Sequence, residues 1–152
     1  MNLKKEINKK EIEKLIPHRD PFLLIDKLVN IVPMISATGI MNVKENCFFF
    51  NGHFPGQPVM PGVLVVEAFG QSAAALTAYS LDPIIVKNKL VYLMTIQNAK
   101  FRSPIFPNCE LKLNITALKS KEKVWKYKGV AMVENKIMAE SEWMATIINR
   151  NE

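Results

Sequence analysis

The chain has 152 residues, of which 49% are hydrophobic and 22% are charged, a composition that fits one domain with an ordinary core and excludes a disordered or low-complexity chain. The 20 Lys and Arg residues outnumber the 14 Asp and Glu residues, and the formal charge of +6 favours an anionic partner. The basic residues are scattered apart from a lysine-rich segment, residues 119–128, that is typical of a solvated hairpin. We therefore expect no nucleic-acid binding.

The sequence shows no pattern typical of a secretion signal, a membrane span or a metal site. The N-terminal residues lack the apolar core of a signal peptide. The most apolar window, Val59–Tyr79, is interrupted by Glu67 and Gln71, which favours a buried helix. Cys47 and Cys109 match no metal or redox spacing, and no glycine-rich phosphate loop occurs. We expect a cytoplasmic protein with reduced thiols, without membrane insertion, metal ion or cofactor.

The predicted elements, in chain order, begin with a short helix and two strands. Lys9–Ile16 has apolar residues at helical spacing, and the proline that follows ends the helix. Phe22–Val29 is apolar and predicts a first strand. Met34–Val43 predicts a second strand, and a turn around Asn30–Pro33 joins the two.

Residues 51–80, NGHFPGQPVMPGVLVVEAFGQSAAALTAYS, combine a rigid loop with a long helix. The first part, residues 51–62, is rich in glycine and proline, which exclude a regular helix or strand. From Val63 onward the sequence predicts a continuous helix, with Pro61 in the position of its first residue. Asp82–Pro83 ends this helix.

A group of strands is predicted to follow the helix, after a connecting loop at Ile84–Asn88. The strands are Lys89–Ser103 with an irregularity at Gln97–Asn98, Cys109–Lys119, Val124–Val133 and Ile137–Ile148. The last two form a hairpin that turns at Asn135–Lys136. Strands grouped around one apolar helix indicate an α+β fold whose antiparallel sheet curls around the helix. An open sheet leaves an exposed edge, so we expect at least a homodimer.

Two residues of the loop and helix form a candidate catalytic pair. His53 lies in the rigid loop, and Glu67 is the only charged residue between Asn51 and Leu81. Apolar neighbours remove water from a carboxylate, so we expect burial to raise the pKa of Glu67. A neutral carboxyl group and a neutral imidazole can donate one proton and accept another. The alternative interpretations are a structural histidine and a solvent-facing glutamate, and His18 is predicted to pack against or cap the adjacent helix end.

The segment GHFPGQPVMPGVLVVEA, preceded by LIPHRDPFLLIDKL, resembles the β-hydroxyacyl-acyl carrier protein dehydratases of bacterial fatty acid synthesis, the FabZ type. VYLMTIQNAKFRSPIFP is similar to the central strand of that family, and the resemblance covers roughly Glu11–Ile148. It implies one hotdog domain over residues 1–152, in which an antiparallel sheet wraps one long central helix. It also implies a dimer with a continuous sheet, and dimers that typically assemble as a trimer.

The resemblance implies a role for each residue of the centre. His53 is the base at the alpha carbon and Glu67 is the acid for the leaving hydroxyl, and the two come from opposite protomers. The amides of Gly62 and Val63 at the helix start polarise the thioester carbonyl, and glycine at 62 lets the thioester approach the backbone. The carbonyl of Val59 holds the other ring nitrogen of His53.

The substrate that the resemblance implies is a (3R)-hydroxyacyl thioester on acyl carrier protein, and the products are the trans-2-enoyl thioester and water. Further substrate-binding candidates are Phe54, Tyr92, which matches a tunnel gate in some relatives, and Gln71, which we expect to orient the Glu67 carboxyl. Apolar candidates for the tunnel are Phe22, Phe54, Met60, Phe69, Met94 and Ile96, and an ordinary core role is the alternative for each of them. Basic candidates for docking the acidic carrier protein are Lys87, Lys89, Lys100 and Arg102, and an ordinary solvated surface is the alternative.

Two other functions fit parts of the same pattern. A hotdog acyl thioesterase would hydrolyse the thioester, but such enzymes generally lack the HFPG histidine loop. A non-catalytic acyl-carrier-binding module would bind the substrate without turnover. The related dehydratase–isomerases have Asp in place of Glu67, so the resemblance favours dehydration without isomerisation.

Overall fold

One antiparallel sheet and one long helix make up most of the chain. The computed structural model describes residues 4–151. Its strands are β1 (Ile7–Asn8), β2 (Lys27–Val32), β3 (Ser36–Val43), β4 (Lys89–Phe101), β5 (Cys109–Lys121), β6 (Val124–Val133) and β7 (Lys136–Asn149). Its helices are α1 (Lys9–Glu13), α2 (Gly62–Ser80) and α3 (Pro83–Val86), with a 3-10 turn at Phe48–Phe50. The strands lie in the order β1-β2-β3-β5-β6-β7-β4, which confirms the predicted antiparallel sheet.

The sheet curls around α2, and their contact surface is the core. Phe69 of α2 is fully buried and stacks on Trp143 of β7, with ring centroids 5.5 Å apart. A Cβ atom at Gly129 of β6 would lie 2.6 Å from the Phe69 ring, so glycine is required for this close approach. Phe69 is therefore a core residue, which favours the core alternative over a place in the acyl tunnel.

The first predicted strand, Phe22–Val29, is wrong over its first half. Residues 22–26 make no strand, and β2 begins only at Lys27. Leu23, Leu24 and Ile25 are nevertheless buried, which explains their apolar character. The backbone of this segment bonds to a side chain of α2 and so has no need of a strand partner at that point.

Smaller differences concern the ends of elements. The first helix stops at Glu13, and the chain continues in a tighter turn in which the Lys14 amide donates to the Glu11 carbonyl at 3.2 Å and the Leu15 amide to the Ile12 carbonyl at 2.8 Å. The predicted loop after α2 contains the short helix α3, whose first turn is capped by the Asp82 side chain at 2.8 Å from the Ile84 amide. Three further boundaries differ from the prediction by one to a few residues. The strand β3 begins at Ser36, and the turn of the last hairpin lies at Glu134–Asn135. Pro61 is the N-terminal cap of α2 and not its first residue.

The strand β4 forms one edge of the sheet and pairs only with β7 among the described strands. It is thirteen residues long and carries the predicted irregularity, a register shift between Gln97 and Lys100. Its exposed large hydrophobic side chains are Val91, Tyr92, Leu93, Met94, Ile96 and Phe101. A long apolar edge of this kind is typical of a surface that another chain covers.

No helix within residues 4–151 has both the length and the hydropathy of a membrane-crossing segment. Cys47 and Cys109 are not joined by a disulfide in the described part of the chain.

Candidate active site

A tight turn fixes the loop that carries His53. The Phe54 amide donates to the Gln57 carbonyl at 3.0 Å, and the Gln57 amide donates back to the Phe54 carbonyl at 2.9 Å. Between them, Pro55 and Gly56 occupy the central positions, and Gly56 has a φ of 76°, the value that a type II turn requires at its third residue. The turn therefore needs this proline–glycine pair, as the loop's composition predicts.

His53 is tied to Val59 through two hydrogen bonds. The Val59 amide donates to the His53 carbonyl at 3.0 Å, and the ring Nδ1 lies 2.6 Å from the Val59 carbonyl, which is the contact expected from the resemblance. A carbonyl oxygen only accepts, so Nδ1 carries the proton and Nε2 of the neutral ring keeps its lone pair. The Phe54 ring stacks on the imidazole, with centroids 4.0 Å apart. The loop thus presents His53 in the tautomer that a base requires.

The start of α2 offers free amide groups close to the same loop. Pro61 caps the helix, and the first bond back to its carbonyl comes from the Leu64 amide at 3.0 Å. The amides of Gly62 and Val63 have no partner within residues 4–151, as expected for the first turn of a helix. A Cβ atom at Gly62 would meet the ring of Phe101 at 2.9 Å. In the single protomer, glycine at 62 therefore makes room for the Phe101 ring.

Glu67 is held by two side chains that contact the same carboxylate oxygen. Gln71, one turn further along α2, donates to Oε1 of Glu67 at 3.0 Å, so the predicted orienting contact is present. Gln71 is itself fixed, because its Oε1 accepts from the Leu24 amide at 2.8 Å and the same Nε2 also donates to the Phe22 carbonyl at 2.7 Å. Nε2 of His18 lies 3.4 Å from the same Oε1.

The pKa of Glu67 departs from its ordinary value in the direction opposite to the prediction. Burial raises it, but the hydrogen bonds from His18 and Gln71 together outweigh burial and lower the pKa of the carboxyl. The expectation of a raised pKa is thus wrong for the single protomer, because the sequence shows the apolar neighbours on the helix and not the two donors that fold against it.

Glu67 and His53 line two different cavities of the protomer. Glu67 and His18 lie at the inner cavity, an apolar space between α2 and the strands β4, β6 and β7; its other lining residues include Val66, Gly70, Ala74, Val91, Leu93, Trp125, Tyr127 and Trp143. His53 lies at the outer groove, together with Gly62, Val63, Phe101, Arg102, Ile105 and Met138. One protomer therefore presents the His53 imidazole beside the free helix amides and the Glu67 carboxylate beside the apolar cavity, as two separate halves.

The remaining predicted residues are distributed over the edge of these cavities. Phe54 and Val63 are exposed, and the Val63 side chain is 74% accessible. Tyr92 is exposed on β4 and lines neither cavity, whereas its neighbours Val91 and Leu93 line the inner one. Of the tunnel candidates, Phe22, Met94 and Ile96 are exposed in the single protomer, while Met60 is buried beside the outer groove.

The basic docking candidates lie near β4. Arg102 lines the outer groove and forms an ion pair with Glu140, with Nη2 3.0 Å from Oε1. Lys89 donates to the side chain of Asn149. Lys100 is part of β4, and Lys87 is the C-terminal cap of α3.

His18 is the residue of the site that the sequence-based reasoning missed. Packing or capping was predicted for it, yet its ring contacts the Glu67 carboxylate and lines the inner cavity. The available signal was its place in PHRDPFLLID, one of the two segments that carried the family resemblance.

Comparison with known proteins identifies the family. Residues 16–142 match the family model described as the FabA-like domain. Proteins named 3-hydroxyacyl-[acyl-carrier-protein] dehydratase FabZ are similar over most of the chain. The one from Gluconobacter oxydans is 51% identical over 138 residues, 91% of this chain and 81% of the relative. The one from Myxococcus xanthus is 47% identical over 141 residues, 93% of this chain and 92% of the relative.

Solved structures agree on the fold. The dehydratase heterocomplex ApeI:P from Xenorhabdus doucetiae has a TM-score of 0.77 at 14% identity and covers 93% of each chain. A thioesterase from Haemophilus influenzae has a TM-score of 0.58 at 17% identity, over 80% of this chain and 77% of that one. These likenesses confirm the predicted hotdog fold. The chain therefore belongs to the FabA-like domain family and, within it, to the FabZ-type dehydratases.

Proposed function

We propose that the protein dehydrates (3R)-hydroxyacyl-acyl carrier protein to the trans-2-enoyl thioester in bacterial fatty acid biosynthesis. The observation that carries the proposal is a combination of two sites. The loop holds the His53 imidazole beside the free helix amides, and Glu67 lies beside an apolar cavity. These are the base, the carbonyl-binding donors, the acid and the acyl site that the reaction needs. The relatives of known name support the same reaction.

In the proposed reaction His53 removes the proton from the carbon next to the thioester carbonyl. Its Nε2 lone pair accepts that proton, since Nδ1 is already bonded to Val59. Negative charge then develops on the carbonyl oxygen. The free amides of Gly62 and Val63, which lie at the positive end of the α2 dipole and line the same groove as His53, stabilise it.

Glu67 is the proposed donor of the proton that leaves with the hydroxyl group as water. Its Oε1 is engaged by His18 and Gln71, which leaves Oε2 for the substrate. A donor must be protonated, and the Glu67 side chain is 31% accessible in the single protomer. Covering that surface with the partner protomer and the acyl chain removes more water and raises the pKa of the carboxyl, which favours the protonated form.

The complete site is proposed to form between two protomers. The halves described above lie in separate cavities of one chain, and the apolar edge strand β4 runs beside both. Antiparallel pairing of two β4 strands across a two-fold axis would cover this edge and join the two sheets. His53 of one protomer would then face Glu67 of its partner, and three such dimers would complete the assembly implied by the family.

The acyl chain is assigned to the inner cavity and the carrier protein to the basic residues near β4. The cavity wall is mostly aliphatic and aromatic, which suits a hydrocarbon chain. Lys87, Lys89, Lys100 and Arg102 are the proposed contacts for the acidic carrier protein, because they lie on or next to the strand that borders both cavities. The protein would meet the carrier protein and its acyl chain in the cytoplasm.

The test is turnover of a (3R)-hydroxyacyl thioester by wild type and by His53→Ala and Glu67→Gln. We expect enoyl absorbance to appear without free thiol, and each substitution to lower kcat by about a hundredfold or more while the protein stays folded. Glu134→Gln, in the exposed turn between β6 and β7, is the matched control and keeps wild-type turnover. Release of free thiol would indicate a thioesterase instead, and binding without turnover a carrier-binding module.

A further inference from the structure

His18 has a feature that packing does not explain. Its Nδ1 is buried and has no hydrogen-bond partner within residues 4–151. A buried polar atom without a partner opposes folding, and an aliphatic side chain would fill the same space without that penalty. Among the described residues, the one polar contact of the ring is that of Nε2 with Oε1 of Glu67, at 3.4 Å. The ring therefore makes one favourable polar contact, from Nε2 to the carboxylate, and carries one unfavourable feature, the unpaired Nδ1.

The contact belongs to a larger arrangement around the carboxylate. Gln71 donates to the same Oε1 at 3.0 Å and is anchored on the backbone of the segment that follows His18 in the chain. The Arg19 guanidinium fixes the beginning of that segment by donating to the Ile16 carbonyl at 2.9 Å and the Glu13 carbonyl at 2.8 Å. Two donors on one oxygen fix the rotation of the carboxyl group and leave Oε2 without a partner in the described chain.

We propose that His18 is a positioning residue that, together with Gln71, holds Oε1 of Glu67 so that Oε2 faces the hydroxyl group of the substrate. This inference rests on the proposed function of Glu67. It assigns the role to the first histidine of the chain, which does not itself touch the reacting atoms. The loss of His18 then acts on the step in which the hydroxyl group leaves, and not on binding of the acyl chain.

The titratable groups that line the inner cavity with Glu67 are His18 and Tyr127. Tyr127 is bonded to Thr77, so it is not a donor to Glu67. Removing the His18 donor removes one of the contacts that lower the pKa of the Glu67 carboxyl, so the pKa rises in His18→Ala. The loss of a side chain that only fills space would instead let water reach the carboxyl and lower its pKa.

The experiment compares His18→Ala and His18→Gln with wild type, because the glutamine amide can reach the position of Nε2 and donate there. We expect His18→Ala to lower kcat about tenfold with KM within about twofold, and His18→Gln to restore most of kcat. Asp20→Asn is the control on the same segment; its exposed side chain pairs with Lys9 and does not contact Glu67.

Isotope-edited infrared titration of the Glu67 carboxyl provides a readout that needs no turnover, with the band assigned by its loss in Glu67→Gln. We expect the titration to move to higher pH in His18→Ala and back in His18→Gln. An unchanged titration in a folded His18→Ala, or wild-type kcat in that variant, overturns the inference. If His18→Ala does not fold, His18→Gln alone tests the inference. A Glu67 titration in His18→Gln that differs from that of wild type also overturns the inference. Wild type that fails to dehydrate the thioester would instead overturn the proposed function, whatever the titration shows.

Discussion

Within the described part of the chain, each candidate catalytic side chain has one polar atom held by a neighbouring group and one without a partner. In His53 the fixed atom is Nδ1, on the Val59 carbonyl, and the free atom is Nε2. In Glu67 the fixed atom is Oε1, shared by Gln71 and His18, and the free atom is Oε2. Side chains restrained in this way lose little rotational freedom when substrate binds, so orientation contributes to the rate.

Tyr127 gives a residue-scale prediction about pH. Burial raises the pKa of this phenol from 10.0 to about 12, although its hydrogen bond with Thr77 acts in the opposite direction. The neutral phenol is the form that the fold favours, so its contribution to stability is complete below pH 10.0 and is lost as pH rises toward about 12.

We therefore expect the free energy of unfolding to fall more steeply with pH in wild type than in Tyr127→Phe across that range. Urea unfolding at neutral pH and at a pH between 10.0 and about 12 checks it. At neutral pH the variant should be less stable by about 1 kcal/mol, because the Thr77 hydroxyl loses its partner. If the free energy of unfolding fell equally with pH in the two proteins over this range, the raised pKa of Tyr127 would be contradicted.

At the scale of elements, one side chain connects α2 with the irregular segment at residues 22–25. Gln71 is 1% accessible and bonds both the Leu24 amide and the Phe22 carbonyl. Gln71→Leu keeps the approximate volume but leaves these backbone groups without their partner. We expect a loss of on the order of 2 kcal/mol in the free energy of unfolding, measured in urea.

Gln57→Leu is the control for that substitution, since Gln57 is exposed in the loop that carries His53. Its stability should stay within about 0.5 kcal/mol of wild type. A similar loss in both variants would mean that the amide of Gln71 is not what ties the segment to α2.

The same segment shows where local sequence patterns stop being sufficient. The long strands β5 and β6 and the helix α2 were predicted to within a few residues, because alternation and apolar continuity are local properties. Residues 22–25 were predicted as a strand because they are apolar, but their backbone partner is a side chain 47 residues away. The His18 contact with Glu67 likewise depends on how the chain folds back, and no local pattern contains it.

At the scale of the whole molecule, the exposed edge strand predicts assembly. Ile96 and Met94 lie on β4 and are exposed, at the edge of the sheet that carries the apolar surface. A lysine there would be buried without a partner if β4 strands pair across a dimer, so Ile96→Lys should weaken the dimer and lower turnover together.

Light scattering coupled to size-exclusion chromatography measures the first effect. Val32→Lys is the matched control, because Val32 is similarly exposed on β2, near the opposite edge of the sheet. It should keep the wild-type mass. An Ile96→Lys variant with unchanged mass and activity would exclude β4 from the interface.

The central claim is that His53 and Glu67 of one site belong to different protomers, and mixed assemblies test it most directly. His53→Ala and Glu67→Gln are co-expressed, and the dehydration rate is compared with that of each variant alone. Random pairing of the two variants makes about half of the dimers mixed, and each mixed dimer has one intact site and one inactive site. We therefore expect about a quarter of wild-type activity. The double variant co-expressed with wild type is the control, since every mixed dimer then lacks an intact site. Activity no higher than the sum of the two single variants would contradict the account.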